Sequence, residues 1–154
     1  MESIISTFDY VGYQGPVINT FVVSFSLLDR HSHLFMFILG SILNYELNNI
    51  LKNWIKEPRP VNPLSYIDDH LIKGAQLYGM PSGHAQIISF TIMYLILRKG
   101  DPYLLFFCFF VGMLTLIQRW KYRKHTLQQL MGGVFVGSLF ACFIFWITND
   151  YLHR

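Results

Sequence analysis

The apolar run HLFMFILGSILNYELNNIL, residues 33–51, is followed directly by the polar stretch KNWIKEPRP, residues 52–60. A helix needs about 20 residues to cross the hydrocarbon core of a bilayer, and this run approaches that length. The prolines of the polar stretch stop a helix, because proline lacks a backbone N–H and restrains the residue before it. The junction therefore predicts a membrane helix that ends where basic residues meet water.

The composition supports a membrane protein of one domain, residues 1–154. Hydrophobic residues make up 53% of the chain and charged residues only 14%, whereas soluble domains carry about 25% charged residues. The net charge of +3 does not indicate a nucleic-acid partner, because the basic residues fall between apolar segments and form no arm or tail. Cys108 and Cys142 lie in apolar runs, and we expect no disulfide between them.

We predict an all-α integral membrane bundle of about five membrane-embedded helices. The second and fifth reach bilayer length, whereas the other three are shorter and the first can extend back to Tyr10. The approximate ranges are Pro16–Leu28, His33–Leu51, Ser82–Leu97, Pro102–Gln118 and His125–Ile147. In the fifth helix, the small residues Gly132, Gly133 and Gly137 favour close packing of a neighbouring helix over a hinge.

Helix direction brings the polar ends together. The ends concerned are, in chain order, Lys52, Ser82, Arg119 and His125. Because successive membrane helices alternate in direction, all four ends lie on one membrane face, and we place a single active site there. Three basic residues, Lys52, Arg59 and Arg119, are candidate phosphate ligands. Once these are set aside, the remaining basic residues are almost equally divided between the two faces. The positive-inside rule therefore leaves the orientation open.

The residues at these ends suit a phosphate group. Arginine donates two parallel hydrogen bonds to phosphate oxygens, lysine supplies a point charge, and a helix amino terminus offers free N–H groups to an anion. The candidate phosphate-binding residues are Lys52, Arg59, Ser82, Gly83 and Arg119. Two histidines, His84 and His125, can act as nucleophile or proton donor at phosphorus.

Three motifs carry a resemblance to a known family. Lys52-x6-Arg59-Pro60, Pro81-Ser82-Gly83-His84 and Arg119-x5-His125 resemble the signature motifs of the type 2 phosphatidic acid phosphatase superfamily. The resemblance covers roughly residues 44–137. Glu57-Pro58-Arg59-Pro60 and His125-Thr126-x-x-Gln129 are similar to its dolichyl diphosphatase branch.

The resemblance implies a role for each candidate residue. His125 is expected to be the nucleophile and His84 the general acid, and Arg119 is expected to act in catalysis as well as in phosphate binding. Gln129 stands where the superfamily usually has an aspartate that orients the nucleophile, and Gln118 stands where a serine usually precedes the arginine. We expect Gln129 to fix the tautomer of His125 without supplying a charge.

No metal or other cofactor is expected, because cationic side chains can neutralise the phosphate. We interpret Asp68-Asp69 as part of a solvated loop, since the further aspartates of a magnesium motif are missing. Glu46, inside the second helix, is costly in hydrocarbon and is expected to face the bundle interior.

The resemblance implies hydrolysis of a polyprenyl diphosphate, dolichyl diphosphate above all, to the monophosphate and inorganic phosphate through a phosphohistidine. The expected partners are the lipid diphosphate and membrane lipid, and the expected location is the endoplasmic reticulum membrane with the site facing the lumen. Two alternatives stay open. One is a phosphatidate or undecaprenyl-diphosphate phosphatase of the same superfamily, and the other is a non-catalytic lipid-binding scaffold. The oligomeric state is left open.

Overall fold

The computed structural model describes residues 7–66 and 73–152, and this part of the chain is helical apart from loops and one isolated bridge between Pro58 and Tyr78. The helices are α1 Thr7–Phe25, α2 His31–Ile55, a 3₁₀ turn Gly74–Leu77, α3 Gly83–Leu97, α4 Pro102–Lys121 and α5 Leu127–Leu152. By length and composition, α2, α4 and α5 can each cross a membrane, and α3 is a shorter apolar helix. The predicted all-α membrane bundle is confirmed.

Large apolar side chains cover the outside of the bundle. Phe21 of α1, Phe106 of α4 and Trp146 of α5 are 71%, 74% and 65% exposed. A continuous apolar exterior of this kind is unfavourable in water and matches the hydrocarbon of a bilayer. The two cysteines are free, with Cys108 buried and Cys142 exposed, as the sequence predicts.

One side of α2 carries polar residues into the protein interior. Its buried residues recur at helical spacing and are Phe37, Gly40, Asn44, Asn48 and Lys52. Glu46 lies off this stripe and is exposed. The expectation that Glu46 faces the interior is therefore wrong, because its position on the helix falls on the outer side.

The most extensively packed helix pair is α3 with α5. A Cβ atom added at Gly133 would collide with the backbone carbonyl of Ser82, and one added at Gly137 would collide with that of Gln86. Two helix backbones can approach this closely only where no side chain intervenes. The small residues of α5 therefore serve packing, as the sequence predicts.

The first helix begins earlier than predicted. α1 starts at Thr7, before the predicted Pro16 and three residues before Tyr10, to which the prediction extends. Its polar first turn is stabilised by tertiary contacts, since the buried carboxylate of Asp9 accepts hydrogen bonds from Lys121 Nζ at 2.7 Å and from the Tyr122 hydroxyl at 3.2 Å. Hydropathy alone cannot reveal this partner, because the pairing residues lie far apart in the sequence.

The fifth helix begins at Leu127 rather than at His125. Thr126 Oγ1 accepts from the Gln129 backbone N–H at 3.2 Å, and Gln129 Oε1 accepts from the Thr126 backbone N–H at 3.2 Å. This reciprocal pair is a capping box, which satisfies two backbone donors at a helix start. His125 therefore lies in the loop just before the helix.

Replacing Gly137 with valine tests the α3–α5 contact. We expect Gly137→Val to lower the stability of the folded protein by about 1–3 kcal/mol, because the added side chain must displace the Gln86 backbone. Thermal unfolding in detergent would measure the loss. Leu139→Val is the matched control, since Leu139 lies on the same helix and is 54% exposed. Equal unfolding temperatures for the two variants would contradict the predicted close contact.

Candidate active site

The polar stretches meet at one end of the bundle, as helix direction predicts. Backbone hydrogen bonds connect them: Gly79 N donates to Glu57 O at 2.8 Å, and Ser82 N donates to Gln129 O at 3.0 Å. The first bond joins the loop after α2 to the loop before α3, and the second joins α3 to α5. The loops therefore form one connected platform.

A cavity of about 390 Å³ opens at this platform. Five of the predicted site residues line it, namely Arg59, Gly83, His84, Arg119 and His125. The other three, Lys52, Ser82 and Gln129, have no exposed surface and support the site from within the protein. All eight predicted residues are thus brought into one region.

Backbone carbonyls orient the two cations that come from the first motif. Lys52 Nζ donates to Tyr78 O at 2.6 Å. Arg59 donates from Nε to Gln76 O at 2.9 Å and from Nη1 to Lys124 O at 3.0 Å. A carbonyl holds a cation in place without cancelling its charge, so the guanidinium of Arg59 keeps its positive charge at the cavity.

A buried amide network fixes the amino terminus of α3. Asn48 Nδ2 donates to Gln86 Oε1 at 2.8 Å and to Pro81 O at 3.1 Å, and Gln86 Nε2 donates to Asn44 Oδ1 at 2.8 Å. Because Gln86 lies in the first turn of α3, the network also fixes the position of Gly83 and His84, which begin this helix and line the cavity. Ser82 caps α3, but its buried hydroxyl oxygen has no hydrogen-bond partner in the described part of the chain.

Tyr13 of α1 joins the site from outside the three motifs. It lines the cavity, its ring centroid lies 5.7 Å from that of His84, and the guanidinium carbon of Arg119 lies 5.8 Å from its ring centroid. Arg119 is 2% exposed, so Tyr13 contacts a nearly buried cation through its ring face.

The hydrogen bonds of His125 define which ring nitrogen carries the proton. Nδ1 lies 3.0 Å from Gly79 O and 3.3 Å from Gln129 Oε1, and both oxygens can only accept. Nε2 lies 3.3 Å from Arg59 Nη1, which can only donate. Nδ1 therefore bears the hydrogen, and the lone pair of Nε2 is on the side of Arg59.

The surroundings keep the His125 ring neutral. Burial, followed by the positive charges of Arg59, Arg119 and Lys52, holds its pKa well below the usual value. A neutral imidazole has the lone pair that nucleophilic attack requires. His125 therefore has this lone pair available at neutral pH.

Gln129 contacts His125 through its side-chain oxygen, as the sequence predicts. Its amide nitrogen makes two further bonds that the sequence did not reveal, to Glu57 Oε1 at 2.7 Å and to Pro58 O at 2.8 Å. A Cβ at Gly79 would collide with the Gln129 amide, so the absence of a side chain there makes room for it.

Sequence reasoning missed four contributors: Tyr13, Asn48, Glu57 and Gln86. Asn44, Asn48 and Lys52 recur every four residues in an apolar helix, which is a signal that could have identified the amide network. The pattern Thr126-x-x-Gln129 likewise indicates the capping box. The Asp68-Asp69 interpretation lies outside the described residues.

Known proteins resemble the chain over most of its length. It is 31% identical over 151 residues to the dolichyldiphosphatase of Saccharomyces cerevisiae, covering 91% of this chain and 62% of that protein. It is 29% identical over 146 residues to dolichyldiphosphatase 1 of Homo sapiens, covering 84% and 59%. It is also 29% identical to the chloroplastic lipid phosphate phosphatase epsilon 1 of Arabidopsis thaliana, covering 86% and 46%.

The chain thus spans less than two thirds of the length of these relatives. No solved structure matches it. The PAP2 superfamily model matches residues 32–152, which include every predicted site residue. The chain belongs to the PAP2 superfamily.

Proposed function

We propose that the protein is a membrane lipid diphosphatase that removes the terminal phosphate from a polyprenyl diphosphate, with dolichyl diphosphate as the favoured substrate. The observation that carries the proposal is the neutral His125 ring, whose Nε2 lone pair lies beside Arg59 at a cavity also lined by His84 and Arg119. The names of the yeast and human relatives support the choice of substrate.

In the first step of the proposed reaction, Nε2 of His125 attacks the terminal phosphorus. The bond between that phosphorus and the bridging oxygen breaks. His84 takes up a proton when the bound diphosphate offsets the positive charges of Arg119 and Arg59 beside it, and it gives that proton to the departing polyprenyl phosphate. The product on the protein is a phosphohistidine whose Nδ1–H still bonds to Gly79 O and Gln129 Oε1. Lys52, Arg59 and Arg119 stabilise the charge on the equatorial oxygens, and we propose no metal.

In the second step, a water molecule attacks the phosphohistidine while His84 takes its proton. The bond from phosphorus to Nε2 breaks, inorganic phosphate leaves, and His125 returns to its neutral form with His84 protonated again. The buried Ser82 hydroxyl, which has no hydrogen-bond partner among the described residues, supplies a further donor for a phosphate oxygen in this proposal.

An apolar groove of about 550 Å³ supports a lipid substrate. It runs between α1 and α2, which barely touch because α1 packs mainly on α4. Tyr45 and Ile87 line both the groove and the cavity. Pro16, Thr20 and Ser24 continue the groove along α1, leading away from the polar end. The rise from Pro16 to Ser24 is about 12 Å at 1.5 Å per residue. We propose that it holds the polyprenyl chain next to the diphosphate.

The proposed location is the endoplasmic reticulum membrane, with the cavity facing the lumen. There the reaction would return the dolichol carrier as its monophosphate for protein glycosylation. The rival substrates are phosphatidate and undecaprenyl diphosphate, and the rival of another class is a lipid-binding scaffold without catalysis.

Phosphate release from a lipid panel tests the function. With EDTA present, we expect the unsubstituted protein to release phosphate from dolichyl diphosphate faster than from phosphatidate or undecaprenyl diphosphate. His125→Ala should abolish release, because it removes the nucleophile. Faster release from phosphatidate would favour the first rival, and no release from any lipid would favour the scaffold.

The pH profile of kcat/KM tests the state of His125. Because its pKa lies well below 6.5, we expect kcat/KM to show no loss from His125 protonation as the pH falls through 6.5, and to lose activity only at lower pH. Arg59→Gln removes a neighbouring positive charge, so the acid limb should move to higher pH, in addition to any loss of rate. An acid limb near 6.5 in the unsubstituted protein would contradict the predicted neutral ring.

Filling the groove tests where the lipid chain lies. We expect Thr20→Trp to lower kcat/KM for dolichyl diphosphate by about tenfold, the effect of displacing roughly two buried methylene groups, and to spare a short isoprenyl diphosphate. Phe106→Trp is the control, because Phe106 is exposed on α4 and does not line the groove. Equal losses on the long and short substrates would contradict the assignment.

A further inference from the structure

We propose that Glu57 is a positioning residue, which holds the Gln129 amide in one orientation and supplies through it the negative charge that supports the His125 ring. This inference rests on the proposed function. The inference adds to that function an anionic partner for the nucleophile, a negative charge that Gln129 does not itself provide.

The surroundings of Gln129 permit only one orientation of its amide. On one side, the carboxylate of Glu57 and the carbonyl of Pro58 accept from Nε2 at 2.7 and 2.8 Å. On the other side, the backbone N–H of Thr126 donates to Oε1 at 3.2 Å. Turning the amide over would place its oxygen against two acceptors and its NH₂ group against a donor. Oε1 must therefore face His125 Nδ1, at 3.3 Å.

Glu57 is itself held in place by its backbone. Its carbonyl accepts from Gly79 N at 2.8 Å, and the next residue, Pro58, pairs with Tyr78 in the isolated bridge. The preceding residue, Lys56, ends α2 in the left-handed conformation with φ of 54°. The chain thus turns directly after the helix, and this turn directs the Glu57 carboxylate to Gln129.

The charge matters most when His125 carries the phosphoryl group. Attack through Nε2 leaves the ring with a positive charge, which the Nδ1–H bond to Gln129 Oε1 helps to stabilise. Hydrogen bonds in series polarise one another, so a carboxylate on the NH₂ side of the amide makes its oxygen a better acceptor. Glu57 therefore acts on the ring through one intervening amide, where the usual aspartate would act directly.

A double-substitution cycle tests this assignment. In the unsubstituted background, we expect Glu57→Gln to lower kcat for dolichyl diphosphate on the order of tenfold, because it removes one hydrogen bond to a charged group. We expect little change in KM, because Glu57 does not line the cavity. Glu57→Asp should keep more activity than Glu57→Gln. In the Gln129→Asp background, Glu57→Gln should raise kcat, because the new carboxylate would otherwise be repelled by Glu57.

The opposite effects of Glu57→Gln on kcat in the two backgrounds distinguish an electrostatic role of Glu57 from a structural one. A merely structural Glu57 would lower kcat by the same factor in both backgrounds, and that result would overturn the inference. Glu46→Gln is the matched control for removing an acid from the same region of the chain, since Glu46 is exposed outside the site, and it should leave kcat unchanged.

Folding of the variants is checked independently by the rise in unfolding temperature on adding inorganic phosphate, which a formed site should retain. If the Glu57→Gln protein keeps this rise and its full kcat, the inference is overturned while the proposed function stands. If the unsubstituted protein releases no phosphate from any lipid, the proposed function is overturned and the inference with it.

Discussion

The close approach of α3 and α5 is the constraint on which the site depends. Glycines at 133 and 137 let the two backbones touch, and at the polar end of this contact Ser82 N reaches Gln129 O at 3.0 Å. That single bond sets the amino terminus of α3, with its free N–H groups, beside the loop that carries His125. A larger residue at either glycine would separate the Ser82-Gly83 turn from His125.

Polar groups inside a membrane must find their hydrogen-bond partners within the protein. In this protein, some of these hydrogen bonds also orient basic side chains. The side chains of Lys52 and Arg59 are held in place by backbone carbonyls. Burial and the positive charges of Arg59 and Arg119 at the cavity lower the pKa of His125 and so favour its neutral ring. The same bonds that stabilise the loops therefore also set the protonation state that the proposed chemistry requires.

Much of the site could be predicted because its chemistry is local in sequence. The motif residues Arg59, His84, Arg119 and His125 sit at helix ends, and alternation of helix direction is enough to place them on one face. The five helices follow from apolar runs and proline stops. Their starts were less predictable: α1 begins early because Asp9 pairs with Lys121 and Tyr122, and those partners are distant in sequence.

By itself, the sequence determined the helical membrane architecture, the shared face and the candidate phosphate-binding residues, since each depends on residue type and spacing along one chain segment. Only the tertiary structure decided the tautomer of His125, the contact of Tyr13 with Arg119 and the link from Glu57 through Gln129. These depend on distances between separate segments, where a few tenths of an ångström separate a hydrogen bond from none. Gln129, which stands in the sequence where a charged aspartate is usual, is hydrogen-bonded in the structure to the carboxylate of Glu57.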